Sequence, residues 1–368
     1  MAVKANDGTD SNTKHFRVAT DRNHAAHLCN SGYVDRQFSV AGLYVLRPWQ
    51  GKRHLNDLEN CKCDIQFNLL TVPSSFQLDH NDMNADLQTA IARRIDNGAV
   101  RMADLRVVIC GLTRDSAPYL QKTITRMESL GNLFGEYRVV VFENDSIDET
   151  PALLDRWQRM NSRVVVLSER RNDPVNQPVR CPLRADRMAF YRNQYREFIT
   201  HHFVDFDFAI VVDMDILEGW SNDGVAHTFG FTDWDFVGSY GIIEKRHLLC
   251  SQLQQYDAWA FRSYGSYEAL KTRTVNNMRI ATEDRLLAVY SCFGGLGIYR
   301  MPALLNCQYV GGDCEHVGLH ARMRESGFDR IFLNPHQTTH YSYKYNRLLR
   351  LLLRVTTPLR LTRPRKAA

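Results

Sequence analysis

Three short apolar runs decide the fold of this chain: RVVIC (106–110), RVVVFE (138–143) and RVVVLS (163–168). Each run is rich in β-branched residues and is followed by polar residues, which is typical of buried strands. Two segments with helical spacing, 117–130 and 150–160, lie between the runs, and each has a proline in its first turn. Because strands and helices alternate, the sequence predicts an α/β domain with a mostly parallel sheet flanked by helices.

A fourth apolar run, DFAIVV (207–212), follows a helix expected over residues 184–202 and leads directly into Asp213, Met214 and Asp215. Ligands of open parallel sheets bind beyond the carboxyl ends of the strands. The polar loops after the first, second and fourth runs are therefore expected to meet at one crevice. Further along the chain, strands are expected over 234–239, 294–300 and 330–335, and a helix over 315–326.

The aspartate pair at the end of the fourth run is the sharpest chemical feature. Side chains alternate along an extended segment, so the carboxylates of Asp213 and Asp215 are expected on the same side. Two such charges repel unless a cation lies between them, and hard oxygen ligands favour Mg²⁺ or Mn²⁺. The sequence therefore predicts a divalent metal site. The alternative is a solvated turn with two helix caps, because this spacing of aspartates is common by chance.

The order of several segments resembles that of a known family: VVICGLTRDSAPYL, VVVFENDSIDET, RMAFYRN, AIVVDMDI, FGGLGIYR, CEHVGLH and NPHQTTHY. It is similar to glycosyltransferases of the GT-A fold, in particular the cryptococcal capsule-associated α-mannosyltransferases with their bacterial and viral relatives. The resemblance covers residues 105–345 and implies a Rossmann-like GT-A domain. It also implies Mn²⁺ or Mg²⁺, a GDP- or UDP-sugar donor with GDP-mannose favoured, and a glycan or lipid-linked glycan acceptor, as in polysaccharide biosynthesis.

The resemblance assigns the nucleotide to loops after the first two strands. Thr113 and Arg114 would meet the nucleotide, and Glu143, Asn144 and Asp145 would lie by the base and ribose. A loop rich in acceptor oxygens suits ribose hydroxyls. The same residues could instead form an Asx-type turn with a helix cap.

The segment RMAFYRN implies three further donor-binding residues, Arg187, Arg192 and Asn193. A planar guanidinium is suited to holding a diphosphate, and Arg192 is the preferred candidate. A solvated surface position is the alternative for Arg187.

The C-terminal part of the resemblance implies a third metal ligand. Imidazole suits Mn²⁺ better than Mg²⁺. His340 is the candidate, because Tyr341 and Lys344 would then face the diphosphate. A structural or solvated histidine is the alternative.

The resemblance to GT-A enzymes also implies acceptor-side chemistry around the helix that opens near Glu315. This carboxylate could act as the general base, or position a substrate in a retaining reaction, and Asp215 is counted with it as catalytic. The alternative for Glu315 is a carboxylate stabilised at a helix N-terminus. In the stretch YDAWAFR, Asp257 and Trp259 suit a pyranose, whose apolar face stacks on aromatic rings, although Trp259 could also be a core residue.

Two glycines complete the predicted substrate site. Gly294 and Gly295 open the strand expected over 294–300 and would let the backbone approach a sugar closely.

The segments that flank residues 105–345 are read from composition. Residues 1–104 contain no motif and are expected to form an N-terminal extension or small subdomain. Residues 342–368 hold eight Lys and Arg and no acid, out of a net charge of +5 for the whole chain. The remainder is thus slightly acidic, which argues against a nucleic-acid partner. The tail, 346–368, has arginines on one helical side, which suits an anionic membrane surface; a helix packed on the domain by its leucines is the alternative.

Hydropathy indicates a cytoplasmic protein, with the tail as a means of peripheral membrane attachment. No run approaches the ~20 apolar residues that cross a bilayer, and the polar N-terminus has no signal-peptide core. Two other functions are alternatives. One is a non-catalytic carbohydrate-binding protein with a decayed transferase domain. The other is a sugar-nucleotide nucleotidyltransferase, which would carry a glycine-rich loop where CGLTRDSAPYL has one glycine.

Overall fold

The computed structural model describes residues 80–175, 179–246 and 251–342. In chain order the helices are α1 (His80–Met102), α2 (Ala117–Gly131), α3 (Thr150–Met160), α4 (Pro182–His202), α5 (Asn222–Phe229), α6 (Thr272–Asn277), α7 (Met301–Leu305) and α8 (Glu315–Glu325). The strands are β1 (Arg106–Thr113), β2 (Glu136–Asn144), β3 (Val164–Glu169), β4 (Phe208–Asp213), β5 (Gly219–Trp220), β6 (Phe236–Arg246), β7 (Ser251–Gln255), β8 (Arg262–Ser263), β9 (Leu287–Ser291), β10 (Leu296–Arg300) and β11 (Ile331–Ser342).

The four apolar runs form four neighbouring parallel strands in the order β3-β2-β1-β4. Alternate residues of these strands enter two separate cores: Val108 and Cys110 face one, and Val107 and Ile109 face the other. Helix α4 covers the first core, whereas α2, α3 and α5 cover the second. Burial on both faces explains why the runs are continuously apolar rather than alternating. The predicted α/β class, with a mostly parallel core flanked by helices, is confirmed.

Beyond β4 the sheet becomes mixed, in the order β10-β6-β11-β9-β8. Strand β10 is antiparallel to both β4 and β6, while β11 is parallel to β6. Two short strands join this half, since β5 pairs with β11 and β7 pairs with β6. Because β10 runs opposite to β4, its beginning and the end of β4 lie at the same edge. The far ends of β6 and β11 reach the same region, which places several loops around Asp213.

Helix α1 comes from the end of the predicted N-terminal extension and packs on α5. The two helices approach so closely that a Cβ on Gly98 would lie 1.7 Å from the carbonyl oxygen of Ala226. Arg94 of α1 also forms two hydrogen bonds of 2.9 Å with the carboxylate of Asp284. This part of the extension therefore belongs to the described domain, whereas residues 1–79 lie outside the described residues. In the part of the chain that is described, no helix is long and apolar enough to cross a membrane.

Candidate active site

Asp213 and Asp215 lie where the loops after β1, β2 and β4 meet, as expected. They line a cavity of about 240 Å³, the first cavity, whose wall also includes Thr113, Arg114 and Asn144. The side chain of Asp213 is 22% exposed. The sequence thus predicted this meeting point, because the carboxyl ends of parallel strands lie at one edge of a sheet.

Three contacts fix Asp213 in place. Its backbone N–H donates to the carbonyl oxygen of Gly295 at 2.8 Å. Its two carboxylate oxygens accept one hydrogen bond each, from Arg192 at 3.2 Å and from the hydroxyl of Tyr341 at 3.0 Å. Burial raises the pKa of Asp213 to about 6; the negative charge of Asp215 adds to the rise, and Arg192 opposes it. Negative charge is therefore concentrated in a poorly solvated place, which favours a bound cation.

The donor set of this pair fits Mg²⁺ or Mn²⁺. Each carboxylate oxygen has more than one lone-pair direction, so a single hydrogen bond leaves each oxygen of Asp213 able to bind a metal. Mg²⁺ is commonly held by one or two carboxylates, with water and substrate phosphates completing its shell. Among the residues that the structure describes, no group of three or more His, Cys, Asp and Glu side chains is placed to hold a metal. The protein would thus supply the two aspartates, and the ligand would supply the rest.

His340 does not join the aspartates. It lies on β11 next to Tyr341, whose hydroxyl reaches Asp213. Successive side chains of a strand point to opposite faces, so His340 faces away from the pair. Its ring is exposed, and its Nε2 lies 3.3 Å from the hydroxyl of Thr338.

The predicted nucleotide loops divide into two groups. Thr113, Arg114 and Asn144 line the first cavity. Glu143 is buried and instead accepts hydrogen bonds from the backbone N–H of Ser146, at 2.9 Å, and from a serine hydroxyl on β3. These contacts hold the loop after β2 and keep Glu143 out of the cavity wall.

Asp145 also braces the loops rather than facing the cavity. It has a positive φ of 57° and accepts hydrogen bonds of 2.8, 2.8 and 3.0 Å from the backbone N–H groups of Arg171, Asn172 and Asp173. Burial opposes its charged form, but these bonds and one from Asn144 lower the pKa of Asp145 to about 2. The alternative of an Asx-type turn describes this residue well.

Arg192 lies between Asp213 and Glu315. Its Nε donates to Glu315 at 2.9 Å, its Nη2 donates to Asp213 at 3.2 Å, and its Nη1 lies 3.3 Å from the hydroxyl of Tyr195. The side chain is only 3% exposed. Most of its donors are therefore engaged with protein groups, although it still contributes to the cavity walls.

The other two residues of that helix segment lie elsewhere. Asn193 exchanges two hydrogen bonds with the backbone of Tyr309, at 2.9 and 3.0 Å, and so holds the segment that precedes α8. Arg187 is partly buried, and neither it nor Asn193 is part of the wall of the two cavities described here.

A second cavity of about 330 Å³ adjoins the first, and its wall includes Glu315, Asp257 and Trp259. Glu315 is the first residue of α8 and is 5% exposed in its side chain. Asp257 has a positive φ of 67° and accepts a hydrogen bond of 3.1 Å from the backbone N–H of Gly294. Burial raises the pKa of Asp257 to about 7, and the charges of Asp213 and Glu315 add to the rise.

Gly294 and Gly295 serve packing within the protein. Both have positive φ, 66° and 93°. A Cβ on Gly294 would lie 2.1 Å from the carbonyl oxygen of Ser239, and one on Gly295 would lie 2.0 Å from the hydroxyl of Tyr341. Glycine is required here because the start of β10 passes close to β6 and β11, and neither glycine is part of the cavity walls.

The wall shared by the two cavities is formed by five residues: Arg184, Met188, Arg192, Asp213 and Tyr256. Sequence reasoning gave no role to Arg184 or Met188. A signal was nevertheless present, since Arg184, Met188 and Arg192 are spaced by four along α4 and so share one helix face. Tyr256 stacks on Tyr341 with ring centroids 3.7 Å apart.

No protein-family model matches the sequence, and no curated protein matches it either. Among solved structures, the mannosyltransferase PcManGT from Pyrobaculum calidifontis, in complex with GDP-Man and Mn²⁺, is 14% identical, with a TM-score of 0.40 over 71% of this chain and 66% of its own. A fragment of TarS from S. aureus, in complex with UDP-GlcNAc, is 12% identical, with a TM-score of 0.39 over 66% of this chain and 60% of its own. GalNAc-T7, with UDP, GalNAc and Mn²⁺, is 10% identical, with a TM-score of 0.39 over 65% of this chain and 44% of its own. This chain thus spans less than two thirds of the length of each of these proteins. Likeness at this level does not decide function, which depends on the geometry of the site.

Two sequence predictions fall outside the described residues. Lys344, expected at the diphosphate, and the basic tail, 346–368, lie beyond residue 342. The membrane surface as a partner of the tail stays a prediction.

Proposed function

We propose that this protein is a metal-dependent glycosyltransferase of the GT-A type, which moves a hexosyl group from a nucleotide sugar to a hydroxyl of a glycan or glycolipid. One observation carries the proposal. The carboxylate of Asp213 lies in the wall shared by two adjoining cavities, one formed by the loops after β1 and β2 and the other containing Glu315. A donor and an acceptor can therefore meet at this carboxylate.

The first cavity suits the nucleoside part of the donor. Its wall offers the hydroxyl of Thr113, the amide of Asn144 and the guanidinium of Arg114, together with the rings of Tyr119 and Tyr191. Hydroxyl and amide groups can bond to ribose and base, and aromatic rings can stack on a base. The resemblance of the sequence favours a GDP-linked donor, and GDP-mannose in particular.

Asp213 and Asp215 would hold Mn²⁺ or Mg²⁺ beside the diphosphate. When bound, such an ion neutralises the negative charge that develops on the departing nucleoside diphosphate. Arg192 and Tyr341 keep the carboxylate of Asp213 in position through one hydrogen bond to each oxygen. Asp213 is thus presented in a fixed orientation, which lowers the cost of ordering it when the donor binds.

The second cavity suits the sugar acceptor. Glu315 lies in its wall, and its Oε1 is bonded to Arg192. Its Oε2 lies 3.8 Å from the sulfur of Cys314 and is the oxygen that would accept the proton of an acceptor hydroxyl. In an inverting reaction the acceptor oxygen would attack the anomeric carbon as the bond to the diphosphate breaks, and Glu315 would take the proton. In a retaining reaction Glu315 would position the acceptor. Trp259 offers a ring for the apolar face of a pyranose.

The test measures sugar transfer and nucleoside diphosphate release for a panel of GDP- and UDP-sugars, with Mn²⁺, with Mg²⁺ and with a chelator. We expect release that needs the metal and falls by at least about 100-fold in Asp213→Asn and Asp215→Asn, since charge stabilisation of this kind contributes several kcal/mol. Asp155→Asn is the matched control, because Asp155 is exposed on α3, where it pairs with Arg159, and is part of neither cavity wall.

Three results would count against the proposal. Turnover in both aspartate variants that equals that of the wild type would show that the pair is structural. Binding of nucleotide sugars without any release would favour the carbohydrate-binding alternative. Release of pyrophosphate from a sugar phosphate and a nucleoside triphosphate would favour a nucleotidyltransferase.

A further inference from the structure

Arg184 is placed at the junction of the two cavities. It lies in the first turn of α4 and contributes to the walls of both. Met188 and Arg192 follow it at intervals of four residues, so one face of α4 forms much of the shared wall. The side chain of Arg184 is partly buried, so its charge is only partly in contact with water.

The guanidinium of Arg184 has no anionic partner within residues 80–175, 179–246 and 251–342. Its Nε is buried and finds no hydrogen-bond partner among the described residues. The contact that positions it is with the ring of Trp259, whose centroid lies 4.9 Å from the guanidinium carbon. A buried donor without a partner costs free energy, and native proteins keep few of them. The charge of Arg184 is therefore available to an anion that binds at this junction.

The other cation of the shared wall, Arg192, already has carboxylate partners. Arg192 is bonded to Glu315 and Asp213, so its charge is already balanced by carboxylates. If a donor places its nucleoside in the first cavity and its sugar toward the second, its diphosphate must cross the wall between them. Of the two guanidinium groups in that wall, Arg184 is the one without a carboxylate partner in the part of the chain that the structure describes.

We propose that Arg184 binds the diphosphate of the nucleotide-sugar donor, and that Arg192 instead positions the two carboxylates. This rests on the proposed function. The planar fork of a guanidinium matches two phosphate oxygens, and such charge-assisted bonds are stronger than neutral ones. When the bond between the anomeric carbon and the diphosphate breaks, its electron pair stays on the diphosphate oxygen. Arg184 would donate hydrogen bonds to the phosphate as that charge grows, and the acceptor oxygen forms the new bond to the anomeric carbon.

The experiment is calorimetric titration of the full-length protein with guanosine, GMP and GDP, and with uridine, UMP and UDP, each with and without Mn²⁺. Arg184→Met retains the length and packing of the stem but removes the charge. It should weaken the nucleoside diphosphate that the wild type prefers by about tenfold or more, the effect of losing a hydrogen bond to a charged group. Affinity for the nucleoside should change by less than about twofold, because in this proposal the charge of Arg184 acts on the phosphates and the nucleoside is uncharged. Arg184→Lys should give an intermediate loss, since an ammonium supplies charge without the fork.

Arg159→Met is the matched control. Arg159 is exposed on α3 and is part of neither cavity wall, so its loss should leave the affinity for nucleoside diphosphates within about twofold of the wild type. The nucleoside diphosphate should bind more tightly than the nucleoside, and the ratio of the two affinities should fall as salt is added. This fall should be less steep in Arg184→Met than in the wild type, because the variant lacks one cation of the site.

The outcomes separate the inference from the function on which it rests. Unchanged diphosphate affinity in Arg184→Met, or an equal loss for nucleoside and diphosphate, would overturn the role of Arg184 while leaving the proposed function standing. If the wild type binds none of these nucleotides in either metal condition, the proposed function fails, and the inference fails with it.

Discussion

Replacing Arg192 by methionine should destabilise the protein strongly, because it leaves two carboxylates without their shared cation. Glu315 is 5% exposed and Asp213 is 22% exposed in their side chains, and Arg192 bonds to both. Removing one partner of a buried ion pair costs about 3–5 kcal/mol, since the other charge stays buried without compensation. Most of that loss should come from Glu315, because Asp213 can regain some water.

Urea unfolding at neutral pH, followed by tryptophan fluorescence and circular dichroism, measures this loss as the free energy of unfolding. The decisive variant is Arg192→Met combined with Glu315→Gln, in which the buried negative charge is also removed. The penalty of Arg192→Met should then shrink by about 0.5–3 kcal/mol, the interaction energy typical of coupled neighbours.

Arg196→Met provides the control for that cycle. Arg196 lies one turn further along α4 and is also buried, but it bonds to the backbone carbonyls of Leu304 and Leu305. Its penalty should be the same with and without Glu315→Gln. Arg192 is not the shared cation of the two carboxylates if Arg192→Met lowers the free energy of unfolding by less than about 1 kcal/mol, or if that loss is the same with and without Glu315→Gln.

Three further perturbations test other parts of the site. Burial raises the pKa of Asp257 from its ordinary value of 3.8 to about 7, so ionisation of this carboxyl lowers the stability of the wild type as the pH rises through that range. Relative to the wild type, Asp257→Asn should therefore be more stable at pH 8 than at pH 5, by at most about 1.4 kcal/mol for each unit by which the pKa is raised. Thermal unfolding that shows the same difference between variant and wild type at both pH values would refute this. Gly295→Ala should lower the free energy of unfolding by more than Gly327→Ala. Both glycines have positive φ, for which backbone strain contributes about 1–3 kcal/mol, but of the two only Gly295 would place a Cβ against a side chain, at the hydroxyl of Tyr341. Equal losses in urea unfolding would show that this contact adds no cost. His340→Ala should leave the calorimetric affinity for Mn²⁺ within about twofold, since its ring faces away from the aspartates, and a tenfold loss would restore it as a ligand.

The strands, and the position of Asp213 and Asp215 at the end of one of them, could be predicted because their signals are local. Runs such as RVVIC are short, β-branched and buried on both faces, and each of the first four became a strand in the expected place. The convergence of Asp213 with Thr113 and Asn144 followed from a rule about where parallel strands end. These inferences need only the spacing of residues along one segment.

The missed features depend on contacts between distant segments. Strand β11 runs from Ile331 to Ser342, through Pro335, although the sequence predicted a strand only to residue 335. Its second half is stabilised by pairing with β5 and with the extended end of β6. Helix α1 was not predicted, because its apolar residues form only a weak helical pattern in the sequence. In the structure this helix packs closely on α5.

The roles of charged side chains were the least predictable part of the site. The type of residue indicates what it can bind, but not whether the fold has already supplied a partner. Arg192 was expected to clamp a diphosphate, yet Glu315 lies 123 residues away in the chain and occupies its Nε. Asp145 was expected beside the ribose, yet three backbone N–H groups from the loop after β3 surround its carboxylate. Arg184 was overlooked for the converse reason, since only the three-dimensional structure shows that its Nε has no hydrogen-bond partner among the described residues.

The most direct measurement is the anomalous scattering of manganese in crystals soaked with Mn²⁺ and a nucleoside diphosphate. We predict one strong peak within coordination distance of carboxylate oxygens from both Asp213 and Asp215, with the diphosphate completing the shell. A bound nucleotide with no peak at this pair, or with the manganese held by other residues, would contradict the claim that the two aspartates place the metal at the leaving group.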